Sequence, residues 1–292
     1  MPERMPVFQR VAVAAHPKLP DAAEEAARVT AYLEARGFRV ASGLIFAEDL
    51  QYRIEAGEFD ILIALGGDGT MLRAGRICAP WKIPVLGINL GHFGFLTELR
   101  QNQWQDYLPR LFTGDYWLEH RMMLQTEQYS GNRSAGAWSV LNEVVVGRGM
   151  IMHPVHLITY VDGRYLTTYV ADALIAATPT GSTAYALAAG GPILPPELRN
   201  ILLLPVAPHL SLERAIVLAE GSSVSITVES SQDVILSIDG QPSIELNNGD
   251  RVDVRAGDHT ALFVRFQDPG YFYRNLTPHM SQNPSTGNHR NP

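Results

Sequence analysis

Residues 59–70 read Phe-Asp-Ile-Leu-Ile-Ala-Leu-Gly-Gly-Asp-Gly-Thr. The apolar part of this stretch does not alternate with polar residues. That is the pattern of a strand buried on both faces of a parallel sheet. Gly66 and Gly67 break the run, and residues 71–79 read as a helix. On the N-terminal side, 11–14 are a short apolar strand, 21–36 an Ala-, Glu- and Arg-rich helix ended by Gly37, and 38–40 the start of a second strand. On the C-terminal side, 83–88 form another apolar strand. Strands and helices in alternation make an open α/β domain, assigned to residues 1–120.

The pattern changes near residue 120. Short strands follow one another with turn signals between them: Asp162-Gly163 between 157–161 and 165–169, Asp239-Gly240 after 234–238, and Asn247-Asn248-Gly249-Asp250 after 244–246. Asp-Gly between apolar runs marks a hairpin. Residues 121–277 are therefore read as an all-β, sandwich-like domain, with its last residues packing back on the first. It is interrupted by a small-residue run at 178–192. The segment 192–213, with Pro195-Pro196 and Pro208-His209, reads as a connection suited to a subunit contact. From Pro278 onward the chain is polar and rich in Asn, Ser and Pro, which reads as a disordered tail.

Composition narrows the function classes. Of 292 residues 46% are hydrophobic, enough for a packed core, and the net charge of -7 argues against a nucleic-acid surface. The lysines are Lys18 and Lys82 only, so a bound anion relies on Arg, backbone N–H groups or a metal ion. The one cysteine, Cys78, lies in an apolar stretch and reads as buried and structural. No run approaches the roughly 20 apolar residues that span a bilayer, and no signal peptide is evident, so a soluble cytoplasmic protein is expected.

Gly66-Gly67-Asp68-Gly69-Thr70 lies where open α/β sheets bind ligands, at the carboxyl end of a strand. Its glycines let a ligand approach the backbone, and Thr70 can cap the following helix, whose N-terminus favours anions. Asp68 would repel phosphate there unless it binds Mg²⁺ or accepts a proton from a hydroxyl. A tight turn with a capping Asp is the plainer alternative. Neither G-x-x-x-x-G-K-[ST] nor G-x-G-x-x-G occurs in the chain. Asn142-Glu143 opens an apolar strand; both reach one ligand only if the strand ends or bulges there. Thr178-Pro179-Thr180-Gly181-Ser182-Thr183-Ala184-Tyr185 crowds hydroxyls before a helix at 184–189, suited to phosphate or sugar oxygens or to simple capping. In the loop 91–96, Phe95 and its aromatic neighbours cover a base or ribose, or else pack in the core. His153 and His156 flank Pro154 and do not read as a metal pair.

Taken together, GGDGT, LNEVVV, ADALIAATPTGSTAYALAAGGPI and SIDGQ, in that order, resemble the NAD kinase family, from about residue 11 to 272. GGDGT alone is less specific, since diacylglycerol-kinase-related lipid kinases and phosphofructokinases carry similar turns. The resemblance implies an NAD kinase/diacylglycerol kinase-like fold with NAD in the crevice between its domains. The implied reaction moves a phosphoryl group from ATP or polyphosphate, with Mg²⁺, to the 2′-hydroxyl of the adenosine ribose. Asp68 is then the base facing that hydroxyl, with Gly67, Gly69 and Thr70 around it. Asn142 and Glu143 hold the adenosine end, and Asp172 meets the nicotinamide side. Thr183, Ala184, Tyr185 and Ala188 line the dinucleotide pocket. Arg73, His153 and Gln241 match positions near the ligands. The family also implies a homodimer or homotetramer, with part of each site supplied by a neighbour. Three positions depart from the pattern: Val170-Ala171-Asp172-Ala173 stands where many members have Arg-Ala-Asp-Gly, and Ala188 where many have Ser.

Overall fold

The computed structural model describes residues 8–91, 94–149, 153–209, 212–230 and 232–282. The chain divides into two compact units, one of residues 1–120 with 261–292, the other of residues 121–260. The first contains, in chain order, β1 (Arg10–Ala15), α1 (Ala22–Glu34), β2 (Arg39–Leu44), α2 (Glu48–Glu55), β3 (Ile61–Gly66), α3 (Asp68–Cys78), β4 (Val85–Asn89), β5 (Leu99–Arg100) and α4 (Trp104–Thr113). Its strands run parallel in the order β2-β1-β3-β4. All six residues of β3 are buried, because β3 lies between β1 and β4 and is covered on both faces. One face carries Val11, Val13, Ile61, Ile63, Leu86 and Ile88 against Val29 and Leu33 of α1 and Leu108 and Leu111 of α4. On the other, Met71 of α3 packs over Gly87.

The chain passes from β1 to β2 on one side of β1 and returns to β3 on the other. The carboxyl ends of β1 and β3 therefore flank the topological switch point, where the connections part and leave a crevice. The Gly66–Thr70 turn sits at that position, joined to the end of β1 by the His16 N–H to the Leu65 carbonyl at 3.1 Å.

The second unit is built from β6 (Trp117–Ser130), β7 (Arg133–Val140), β8 (Glu143–Arg148), β9 (Val155–Val161), β10 (Arg164–Ala171), β11 (Ala173–Ala177), the short α5 (Tyr185–Ala188), β12 (Asn200–Val206), β13 (Ile216–Ala219), β14 (Ser223–Val228), β15 (Val234–Ile238), β16 (Ile244–Leu246) and β17 (Arg251–Arg265). One antiparallel sheet has the order β13-β12-β11-β8-β15-β16; the other runs β10-β9-β14-β17, with β6 paired to β17 and β7 to β6. Alternate residues of both sheets, among them Val144, Val146, Leu174 and Leu236 from the first and Leu157, Ile226, Val252 and Val254 from the second, share one apolar core. That is a β-sandwich. The β9–β10 hairpin turns at Asp162-Gly163 with φ of 51° and 72°, the two left-handed residues that a type I′ turn requires.

Two expectations are corrected. Residues 200–206 are not part of a connection: β12 lies inside its sheet, between β11 and β13. At the C-terminus, β17 ends in the first unit and α6 (Tyr271–Gln282) follows. The expected tail thus begins inside a helix at 278–282, and residues 283–292 lie outside the described residues.

Candidate functional site

Helix α3 starts three residues earlier than its apolar pattern suggests, with Asp68 as its first residue and Gly67 as its N-cap. Thr70 does not cap it. That side chain is buried in the first turn and packs against Gly66. Asp68 instead reaches across to the segment after β4: its Oδ2 accepts the Phe95 N–H at 2.8 Å and its Oδ1 the Leu96 N–H at 3.0 Å. Gly94 is needed for this approach, because a Cβ there would overlap the Asp68 carboxylate. Gly69 is exposed and lies one helical turn before Arg73, on the same face. Arg73 donates from Nε to the Ile45 carbonyl at 3.1 Å, and its guanidinium carbon lies 4.6 Å from the ring centre of Phe46. Phe95 is half-buried, with its ring 6.1 Å from that of Phe272 in α6. His92 and Phe93 of the same loop lie outside the described residues.

A second group of expected residues gathers in the other unit. Asn142 directly precedes β8 and Glu143 is its first residue, so the strand does end where the pair stands. Asp239, legible in the sequence only as a turn residue, organises them. Its carboxylate accepts the N–H groups of Leu141, Asn142 and Glu143 at 2.9, 2.7 and 3.2 Å. Burial, reinforced by the charge of Asp239, pushes the Glu143 carboxyl up to about 8. Its Oε2 is buried without a hydrogen-bond partner. At neutral pH Glu143 therefore carries a proton and offers a hydroxyl donor as well as an acceptor.

This proton makes stability depend on pH. The ordinary value for a Glu is about 4.5, so between that and about 8 the folded chain holds a proton that the unfolded chain has lost. Stability then falls as pH rises through the window, by on the order of 5 kcal/mol in total. Glu143→Gln removes the titration. Thermal unfolding from pH 5 to 8.5 should show a steeper loss for the natural protein than for the variant; parallel curves would contradict the assignment.

The hydroxyls of 178–183 are all engaged within the chain. Thr178 Oγ1 donates to the Leu141 carbonyl at 2.6 Å and accepts the Gly181 N–H at 3.0 Å. Ser182 Oγ donates to the Pro179 carbonyl at 2.7 Å, and Thr183 Oγ1 to the Thr180 carbonyl at 3.1 Å. The buried Thr180 accepts from Arg121 at 3.2 Å. The expected helix at 184–189 is a single turn, α5, too short to offer an anion site at its N-terminus. What the run supplies is shape. A Cβ at Gly181 would strike the Asn142 carbonyl, so Gly181 lets the two segments touch. Tyr185 and Ala188 are left exposed, with Thr183 and Ala184 half-buried beside them. Gln241, half-buried, closes the turn after Asp239 by donating its N–H to the Ile238 carbonyl at 2.9 Å. His153 is exposed, next to residues 150–152, which lie outside the described residues.

Residues 11–116 match the family model of the ATP-NAD kinase N-terminal domain, and residues 141–266 that of the ATP-NAD kinase C-terminal domain. The chain belongs to the NAD kinase family. It is 38% identical to the NAD kinase of Chloroflexus aggregans over 271 residues, 92% of this chain and 98% of that one. It is 39% identical to the NAD kinase of Geotalea daltonii over 214 residues, 73% of this chain and 75% of the other. Among solved structures, yeast NADH kinase complexed with NADH superposes with a TM-score of 0.84 over 95% of this chain and 89% of that one, at 26% identity. An Archaeoglobus fulgidus NAD kinase in complex with ATP shares the fold, with a TM-score of 0.75 and 24% identity over 93% of this chain and 99% of that one. Against the NAD kinase pattern Arg-Ala-Asp-Gly, the charge absent at Val170 has a counterpart from a different strand. Arg148, at the end of β8, pairs with Asp172 at 3.0 Å. Nothing in the sequence spacing pointed to it.

Proposed function

We propose that this protein is an NAD kinase that transfers the terminal phosphoryl group of ATP to the 2′-hydroxyl of the adenosine ribose of NAD. The observation that carries the reading is the Asp68 carboxylate, fixed by two backbone N–H groups at the switch point of the sheet, in a chain matching both domains of the family. Asp68 accepts the proton of the 2′-hydroxyl. The freed oxygen bonds to the γ-phosphorus, the bond from that phosphorus to the β–γ bridging oxygen breaks, and ADP leaves with the electron pair. A positioned carboxylate contributes about 10²–10⁴-fold in such a step. The two N–H donors hold Asp68 in place and leave each of its oxygens a further lone pair for the hydroxyl.

Asn142 and the protonated Glu143 hold the adenosine end of NAD, Asp172 meets the nicotinamide side, and Thr183, Ala184, Tyr185 and Ala188 line the dinucleotide. Arg73, His153 and Gln241 lie near the ligands. A divalent metal, Mg²⁺, enters on the donor phosphates, where it would neutralise charge that the two lysines cannot; ligation of that metal by Asp68 is the competing role. In the described residues no helix is long and apolar enough to cross a membrane. A cytoplasmic homodimer or homotetramer completes the proposal.

The test is direct. Incubation with ATP, Mg²⁺ and NAD should yield NADP, read by a coupled NADP-specific dehydrogenase. No NADP with any metal or donor tried, polyphosphate included, would overturn the reading. NADH in place of NAD in the same assay defines the acceptor.

A further inference from the structure

Behind the Asp68 turn lies a buried charged network that the reaction as written does not use. Arg265, the last residue of β17, is fully buried. Its Nε donates to Glu119 Oε2 at 2.9 Å, and Nη1 lies 3.2 Å from Glu98 Oε2. The same guanidinium also donates to three consecutive carbonyls, those of Phe95, Leu96 and Thr97, at 3.4, 3.2 and 3.2 Å. Glu98 turns its other oxygen to the N–H groups of Phe266 and Gln267 at 2.7 and 3.1 Å. Tyr271, in the first turn of α6, donates its hydroxyl to Glu119 at 2.8 Å. Its neighbour Phe272 packs on Phe95.

Stability alone is a poor account of such a cluster. Desolvating one guanidinium and two carboxylates is expensive, and apolar side chains of similar volume often serve as well or better. Burial indeed pushes the Glu98 carboxyl upward despite the neighbouring Arg265. What an apolar cluster cannot do is hold three successive carbonyls in one orientation. The planar fork of an arginine, with five donors, can; a lysine has three donors and no fixed plane. The carbonyls of Phe95 and Leu96 belong to the residues whose N–H groups hold Asp68.

We infer that Arg265 and Phe272 are positioning residues for the phosphoryl transfer, fixing residues 95–97 so that their N–H groups aim the Asp68 carboxylate. The inference rests on the role proposed for Asp68. The C-terminal segment from Arg265 into α6 is then a working part of the site.

The experiment uses the full-length chain. Arg265→Lys, Arg265→Met, Tyr271→Phe and Phe272→Leu are compared with Leu108→Ala, a core truncation in α4 that lowers stability without touching the network. Thermal unfolding identifies the variants folded at the assay temperature; if neither Arg265 variant is, Tyr271→Phe and Phe272→Leu decide. Two readouts follow: kcat and KM for NAD and ATP, and hydrogen exchange of the Phe95 and Leu96 amides. Arg265→Met should lose about 100-fold in kcat and Arg265→Lys about 10-fold, with KM for ATP little changed, as expected for misplacement of a reacting group. Tyr271→Phe and Phe272→Leu should each lose a few fold. Exchange at residues 95–96 should accelerate in step with the loss of kcat. Leu108→Ala should lose stability and keep both. Folded network variants that hold kcat within about two-fold and leave exchange at 95–96 unchanged would overturn the inference. A natural protein that makes no NADP would instead sink the proposed function, and the exchange measurement would still report whether the network holds residues 95–96.

Discussion

Asp68→Asn should lower kcat by about 10²–10⁴-fold while leaving NAD affinity within a few fold. Two effects combine in that loss. The amide cannot take the proton of the ribose hydroxyl. It also keeps only one acceptor oxygen where the carboxylate serves both Phe95 and Leu96 N–H groups, so its NH₂ must face one of them, donor against donor. The segment then shifts or the side chain turns away. Hydrogen exchange at residues 95–96 separates the two effects: unchanged exchange with lost turnover assigns the loss to the missing base. A change of metal separates the competing role. If Mn²⁺ restores turnover in the variant, Asp68 is a metal ligand; if it does not, the base role stands. Near-natural turnover in Asp68→Asn would refute both.

The local parts of this site were legible in the sequence because local rules govern them. β3 shows as an unbroken apolar run because it is buried on both faces, and the break at Gly66-Gly67 marks the end of the strand at the switch point. The Asp162-Gly163 hairpin follows from two residues that tolerate positive φ. The parts that were not legible depend on partners far apart in the chain. Arg265 meets Glu98 across 167 residues, and Asp239 meets Leu141 across 98; no periodicity or motif records such pairs. The Thr178–Tyr185 run left two partners open for its hydroxyls, ligand oxygens or nearby backbone, and most of them bond to nearby backbone. β12 was hidden by its prolines. Pro195-Pro196 and Pro208 bracket it, and Pro205 lies within it, past Leu203, the last residue paired with β13.

The largest effect on stability is expected from Asp239→Ala. The Asp239 carboxylate is almost fully buried and is the acceptor for three successive backbone N–H groups at the entry to β8. Removing it orphans those donors in a site with little access to water. One such group costs about 1–3 kcal/mol and the three are not additive, so a loss of about 3–5 kcal/mol is expected, equivalent to about 10 °C or more in Tm. Asp239→Asn should fall between, for two reasons. Asn tolerates the left-handed backbone, φ 48°, at this position, and its oxygen can still serve the pair of N–H groups that share Asp239 Oδ1. The two variants also read out the proton on Glu143. The charge of Asp239 is the second cause of the raised Glu143 carboxyl, after burial. Without that charge the carboxyl must ionise at lower pH, and the loss of stability with rising pH, still beginning near the ordinary Glu value, should end at a lower pH and be smaller than in the natural protein. If Asp239→Asn instead shows the natural pH profile, burial alone sets the proton on Glu143. If Asp239→Ala keeps a Tm within about 2 °C of the natural protein, the three N–H bonds do not hold the Asn142-Glu143 segment, and its place at the head of β8 must be set by Gly181 and Thr178 packing on it from the other side.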